Sequence, residues 1–141
     1  MKDEVLIVEY ILNTTAEDVW SAITDPAKMK QWYFDIPDFK PQVGFEFQFT
    51  AGSEQKKYLH MCRIIEVIPY QKISYTWSYD ILPGMSLVSF ELFPSGKNTQ
   101  LKLSHSGLLT FPQDLTDFNI KSFTAGWNQI IGNNLKAFLE K

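Results

Sequence analysis

Two histidines, one cysteine and a dense set of aromatic rings are the side chains here with chemistry to offer. His105 shares a face with Leu101 and Leu103 of an alternating run, so it points where apolar groups point. On a cavity wall such an imidazole donates to a ligand carbonyl or acts as a general base. The plainer reading is a buried ring satisfied by backbone or by the turn at Ser106-Gly107, since buried polar groups are normally hydrogen-bonded. His60 alternates with Tyr58, Cys62 and Ile64 on a second strand. Cys62 beside a histidine suggests a nucleophile, but cysteine is among the most buried residues and usually inert. No Asn or Asp partner completes a triad by spacing. Glu66 and Glu91, in mid-strand, are expected to face water.

The rings carry more. Tyr75, Trp77 and Tyr79 share one strand face, and Phe123, Trp127 and Ile131 share one helix face. Flat rings with a polar edge suit the wall of a cavity for a bulky apolar ligand. An aromatic stripe on a strand facing another on a helix is equally what a solid core looks like. Trp32 and Trp20 anchor short helices or, with Met29, line a cavity mouth. Gly126 and Gly132 each cost a helix about 1 kcal/mol relative to alanine. They imply close backbone approach or a hollow helix face, and close packing is expected. The loop from Ser106 to Leu115 is either a gate or a plain connection.

Those residues need a scaffold, and 141 residues suit one domain, 1–141. Eleven Phe, six Tyr and four Trp are more rings than a core of this size requires, which favours a wide core, a cavity or an interface. The net charge is −3 with a pI near 5.3. No Lys/Arg run exceeds two residues, so nucleic acid and anionic membrane are excluded as main partners. One cysteine and two histidines make no Cys/His metal cluster, and no cofactor motif is present. No apolar stretch reaches the ~18 residues of a membrane span. A reduced, soluble, cytoplasmic protein is expected.

Glu4 to Leu12 is apolar on both faces, which predicts a strand covered on both sides. Thr14-Thr15-Ala16-Glu17 matches a capping box ahead of Val19, Trp20 and Ile23. Asp25-Pro26 is an N-cap and first helical residue for a second short helix reaching Trp32. Val43, Phe45, Phe47 and Phe49 alternate with polar residues and predict the clearest strand. A turn at Gly52-Ser53 follows, then strands over Tyr58–Ile68, Lys72–Tyr79, Ser86–Phe93 and Thr99–His105. Short connections imply an antiparallel meander. Apolar residues 123, 127, 130, 131, 135, 138 and 139 predict one helix from about Thr116 to Glu140, about 36 Å long.

In chain order the segments Val19-Trp20-Ser21-Ala22-Ile23-Thr24-Asp25-Pro26 leading to Trp32, Pro41-Gln42-Val43-Gly44-Phe45-Glu46-Phe47, Ile65-Glu66-Val67-Ile68-Pro69, Tyr75-Thr76-Trp77, Val88-Ser89-Phe90-Glu91-Leu92, His105-Ser106-Gly107 and Gly126-Trp127 carry a resemblance. Together they resemble domains similar to the C-terminal domain of the activator of the 90-kDa heat-shock-protein ATPase. That family lies in the START-like (SRPBCC) helix-grip superfamily, and the likeness runs from residue 5 to 140. The resemblance implies an α+β helix-grip fold, with a curved antiparallel sheet wrapped around a long C-terminal helix and two short helices after the first strand. For function it implies first a binder of a small hydrophobic molecule between sheet and helix. The alternatives are an interaction module regulating a chaperone, and a cyclase- or hydrolase-like enzyme using a cavity histidine.

Overall fold

The computed structural model of the chain describes residues 5–52 and 56–140. Glu4, expected to open the first strand, and Ser53, expected in a turn, lie outside them. Strand β1 (Leu6–Leu12) leads through α1 (Ala16–Thr24) and α2 (Pro26–Trp32) to β2 (Glu46–Gly52), β3 (Lys57–Ile68), β4 (Lys72–Tyr79), β5 (Ser86–Ser95) and β6 (Asn98–Ser106). All pair antiparallel in one six-stranded sheet of order β1-β6-β5-β4-β3-β2. Consecutive strands from β2 to β6 are neighbours, and β1 closes on β6. The chain ends in a helix of three parts: α3 (Ile120–Trp127), a π-helical stretch (Asn128–Leu135) and α4 (Lys136–Leu139).

Alternation sets the sheet's inner face. Leu6, Val8 and Leu12, Leu101 and Leu103, Val88 and Phe90, Ile73, Tyr75 and Trp77, and Phe47 and Phe49 are all buried. The helix lays Phe123, Trp127, Ile131 and Leu135 against this face, and these are buried too. Each such side chain removed from water stabilises the fold by about 1.5–3 kcal/mol. The four stand four residues apart. In an α-helix, four residues overshoot a full turn by about 40°, so such a stripe would wind off the sheet. The i→i+5 turns of the middle segment, where Lys136 N–H reaches the Ile131 carbonyl, rotate less per residue and straighten it.

Several local expectations are corrected. Among the described residues nothing covers the outer face of the edge strand β1, so Val5, Ile7 and Ile11 are exposed rather than covered. Val43 is 65% exposed and precedes the strand, because Gly44 turns the backbone at φ +92° before β2 opens at Glu46. The cap of α1 slides one residue along the sequence: Thr15 accepts from Asp18 N–H, and Thr14 Oγ1 donates to the Asp18 carboxylate at 2.6 Å. The C-terminal helix starts at Ile120 rather than near Thr116. Asn119 is extended and caps it by accepting from Ser122 N–H, while Thr116–Phe118 is a separate 3-10 turn. Strand β5 runs on through Pro94 to Ser95, two residues past the expected end at Phe93. Asp25 caps α2 with Pro26 in its first turn, as the sequence implies.

Candidate functional site

Behind the middle of the helix the sheet–helix gap is solid. Trp127 Nε1–H donates to His105 Nδ1 at 2.9 Å, and His105 Nε2 lies 2.7 Å from Ser86 Oγ. An indole N–H only donates, so Nδ1 is the acceptor and the imidazole proton sits on Nε2. That proton goes to Ser86 Oγ, whose own proton goes to the Trp77 carbonyl at 2.9 Å. Helix, β6, β5 and β4 are thus joined by one directional chain with no polar group unmatched. His105 is fully buried, and burial lowers its pKa to about 3. A neutral ring with both nitrogens engaged is a strut rather than a base.

Deeper under α2 the interior is also filled. Tyr33 and Tyr75 share a 2.7 Å hydroxyl–hydroxyl bond, and burial, then the neighbouring phenol, pushes the Tyr33 hydroxyl well above its ordinary value. Burial also raises the Cys62 thiol, so no thiolate nucleophile forms near neutral pH. Met29 and Trp32 are buried, with Trp32 Nε1–H donating to the Ala22 carbonyl at 2.8 Å. Glu66 is half-exposed and pairs with Lys72 at 3.0 Å.

Toward the start of α3 the packing opens. A chamber of about 150 Å³ is lined by Phe34, His60, Trp77, Tyr79, Asp117, Ser122, Phe123, Gly126, Trp127 and Ile130. It shares His60, Tyr79 and Asp117 with a vestibule of about 220 Å³, which Ala51, Gly52, Tyr58 and Phe118 complete. Gly126 is exposed at the mouth of this hollow, and a Cβ built on it meets nothing within 4 Å. Gly132, two turns on, is its opposite: a Cβ there would stand 2.6 Å from the Tyr10 hydroxyl. The expectation of close packing holds at Gly132 and is overturned at Gly126.

His60 lies on the wall with its ring 4.6 Å from Phe49, and its Nδ1 is 2.9 Å from the Tyr58 carbonyl. Burial lowers its pKa to about 4, partly offset by hydrogen bonding to the backbone of Tyr58 and Phe49. Tyr79 Oη accepts from Trp77 Nε1 at 2.8 Å, orienting both rings, and burial raises the Tyr79 phenol. At the rim Tyr58 Oη donates to Asp117 Oδ2 at 2.7 Å, bridging β3 to the turn before the helix. The preceding loop is stitched rather than loose. Gln113 Nε2 donates to the carbonyls of Leu108 and Phe111, and its Oε1 accepts from Ile120 N–H.

Of the side chains singled out from sequence, the structure brings His60, Trp77, Tyr79, Phe123 and Trp127 together on the chamber wall. Tyr75, His105, Ile131, Met29 and Trp32 lie in packed interior instead, each held by neighbours that leave no open face. Sequence reasoning missed Phe34, Ser122 and Asp117 and the emptiness at Gly126. Phe34 extends the Trp32-Tyr33 run of rings and was legible to that extent; Asp117 carries no periodic signal. A larger concavity, about 670 Å³, lies at β2, β3 and β4, where Glu46, Gln48, Arg63, Thr76 and Ser78 line it beside Val43, Met61, Ile65 and Met85. Its lining mixes charged and polar side chains with apolar ones, so it is a wet trough rather than a ring-walled site. Among the described residues no group of three His, Cys, Asp or Glu side chains is placed to hold a metal ion, and no helix is long and apolar enough to cross a membrane.

A family model described as Activator of Hsp90 ATPase homolog 1-like protein matches residues 13–140. No curated protein matches the chain. Among solved structures, protein MLL2253 from Mesorhizobium loti is 27% identical with a TM-score of 0.79, covering 97% of each chain. Mll3558 from Rhizobium loti is 20% identical with a TM-score of 0.82, covering 98% of each. The Aha1 dimer from Colwellia psychrerythraea is 18% identical with a TM-score of 0.74, covering 97% of this chain and 96% of that one. The likeness to the last two is one of fold: a six-stranded antiparallel sheet gripping a C-terminal helix.

Proposed function

The chain belongs to the Activator of Hsp90 ATPase homolog 1-like family, and from that premise we propose that it binds a small hydrophobic, ring-bearing molecule between the sheet and the start of α3. The observation that carries this reading is the ring-walled pocket at the start of α3, where Trp77, Trp127, Phe123 and Phe34 converge and Gly126 stands exposed at the mouth. A helix glycine there forgoes about 1 kcal/mol of helix propensity for no packing gain, and it leaves the mouth unobstructed. A pocket of about 150 Å³, open on one side, has room for one six-membered ring. Toluene and indole should raise the melting temperature in a saturable way, as ligands that bind only the folded state do. Gly126→Leu should fold and lose that response. If neither compound moves the melting temperature, the reading fails.

A second reading, an interaction module that regulates a chaperone, draws on the exposed Val43, Ile65 and Met85 beside the outer trough. Retention of the 90-kDa chaperone on immobilised protein would support it, and loss of retention on Val43→Asp would place the contact. Catalysis by His105 finds no support in its geometry, because both ring nitrogens are engaged.

A further inference from the structure

The vestibule says which end of a ligand it receives, and with what charge. Asp117 lines both the chamber and the vestibule, and among the described residues lining either it is the one side chain of full charge. Lys56 and Lys57 adjoin the vestibule's Gly52 through their backbone, and neither is part of that lining. Tyr58 takes one oxygen of the Asp117 carboxylate and holds that group at the rim. A carboxylate has lone pairs for several donors, so one phenol does not exhaust it. Tyr79 and Phe118 stand in the same vestibule, with ring centroids 4.9 Å apart in an edge-to-face pair. Ring faces attract cations, and a carboxylate beside them adds to that attraction. His60 and Tyr79, the other titratable groups on the shared wall, are neutral near pH 7 and offer an anion no charge.

The geometry points to a ring-bearing amine as the ligand: its aromatic ring fills the chamber beside Gly126 and its ammonium group meets Asp117 at the vestibule. This rests on the chamber being a ligand site and adds the chemistry of the polar end. A ligand with the same ring and a carboxylate would set two negative charges against each other at the rim. The sign of the headgroup therefore sets specificity, and the ring supplies the affinity common to both.

Three probes with one ring separate the two parts: phenethylamine, phenylacetate and ethylbenzene, titrated by calorimetry at pH 7 and low salt. Phenethylamine should bind about tenfold tighter than phenylacetate, since attraction for one and repulsion for the other each contribute modestly at a partly exposed rim. In Asp117→Asn, which keeps the shape of an exposed side chain on a short turn, the two should come within about threefold while ethylbenzene is unchanged. Added salt should narrow the gap in the parent protein and not in the variant. Ethylbenzene binding with equal or reversed affinities for the charged pair would overturn the amine assignment and leave the hydrophobic site standing. A preference for amine that survives in Asp117→Asn would overturn it too. No binding by any of the three would overturn both.

Discussion

Gly126 and Gly132 sit on the same face-bearing helix and stand there for opposite reasons. At Gly132 the Tyr10 ring from β1 presses against the backbone, and its hydroxyl goes on to donate to Asn128 Oδ1 at 2.7 Å. A side chain is absent because there is no room for it. At Gly126 a side chain is absent although there is room, and the mouth of the chamber stays open. The two histidines also differ. His105, packed behind Phe123 and Trp127, has both ring nitrogens engaged by side chains, whereas His60 faces the hollow. One helix therefore has a structural half and a receptive half, and the difference is written in neighbours, not in residue type.

The largest expected effect comes from acid, which tests both histidines at once. Their folded pKa values are lowered to about 3 for His105 and about 4 for His60, against an unfolded value of about 6.5. Above pH 6.5 both rings are neutral in either state, and their contribution is fully present. As pH falls below 6.5 the unfolded chain takes up protons that the native state refuses. Stability then drops by about 1.4 kcal/mol per pH unit for each ring, until pH reaches that ring's folded value. Urea midpoints from pH 7 to 4 should register a combined loss on the order of 6 kcal/mol. His60→Phe should remove its share and leave the His105 share. A midpoint flat across that range would mean the rings titrate normally and the contrast between them is empty.

Overpacking comes next. Gly132→Leu should destabilise by about 2 kcal/mol, because Tyr10 must swing away and abandon Asn128. Chemical denaturation would measure this, and no loss would show that the β1 contact is slack. Trp127→Phe keeps one aromatic ring but deletes the fused second ring and the N–H that His105 Nδ1 accepts, for an expected loss of about 2 kcal/mol. A smaller loss would mean water has replaced the indole, and the filled half would no longer count as sealed. Smallest and opposite in sign is Gly126→Ala. With nothing within 4 Å of the new methyl group, the helix should gain up to about 1 kcal/mol in thermal unfolding. If this variant were the one that lost stability, the two halves would have to exchange roles.

The sheet was legible because alternation is a direct imprint of a two-sided surface. Lys72–Tyr79 shows this at both ends, and Val88 and Phe90 point inward beside it. Val43 was misplaced because pattern alone cannot see the +92° turn of Gly44 that ends the strand's reach. The outer side of β1 was read as covered because an apolar row carries no mark of its partner. Spacing of four along the helix fits either α or π turns over a short span, so the straightened stripe could not be read in advance. The chamber was the least legible feature. It draws on Gly126, exposed at its mouth, and on Asp117, an exposed residue of a three-residue turn with no periodicity to betray it.

The chain of donors from the Trp127 indole through His105 and Ser86 to the Trp77 carbonyl gives the molecule an internal clock. That indole hydrogen is shut between layers and cannot swap for deuterium unless helix and sheet part company. Its exchange lifetime in heavy water therefore counts how often the grip opens, in a single well-resolved resonance.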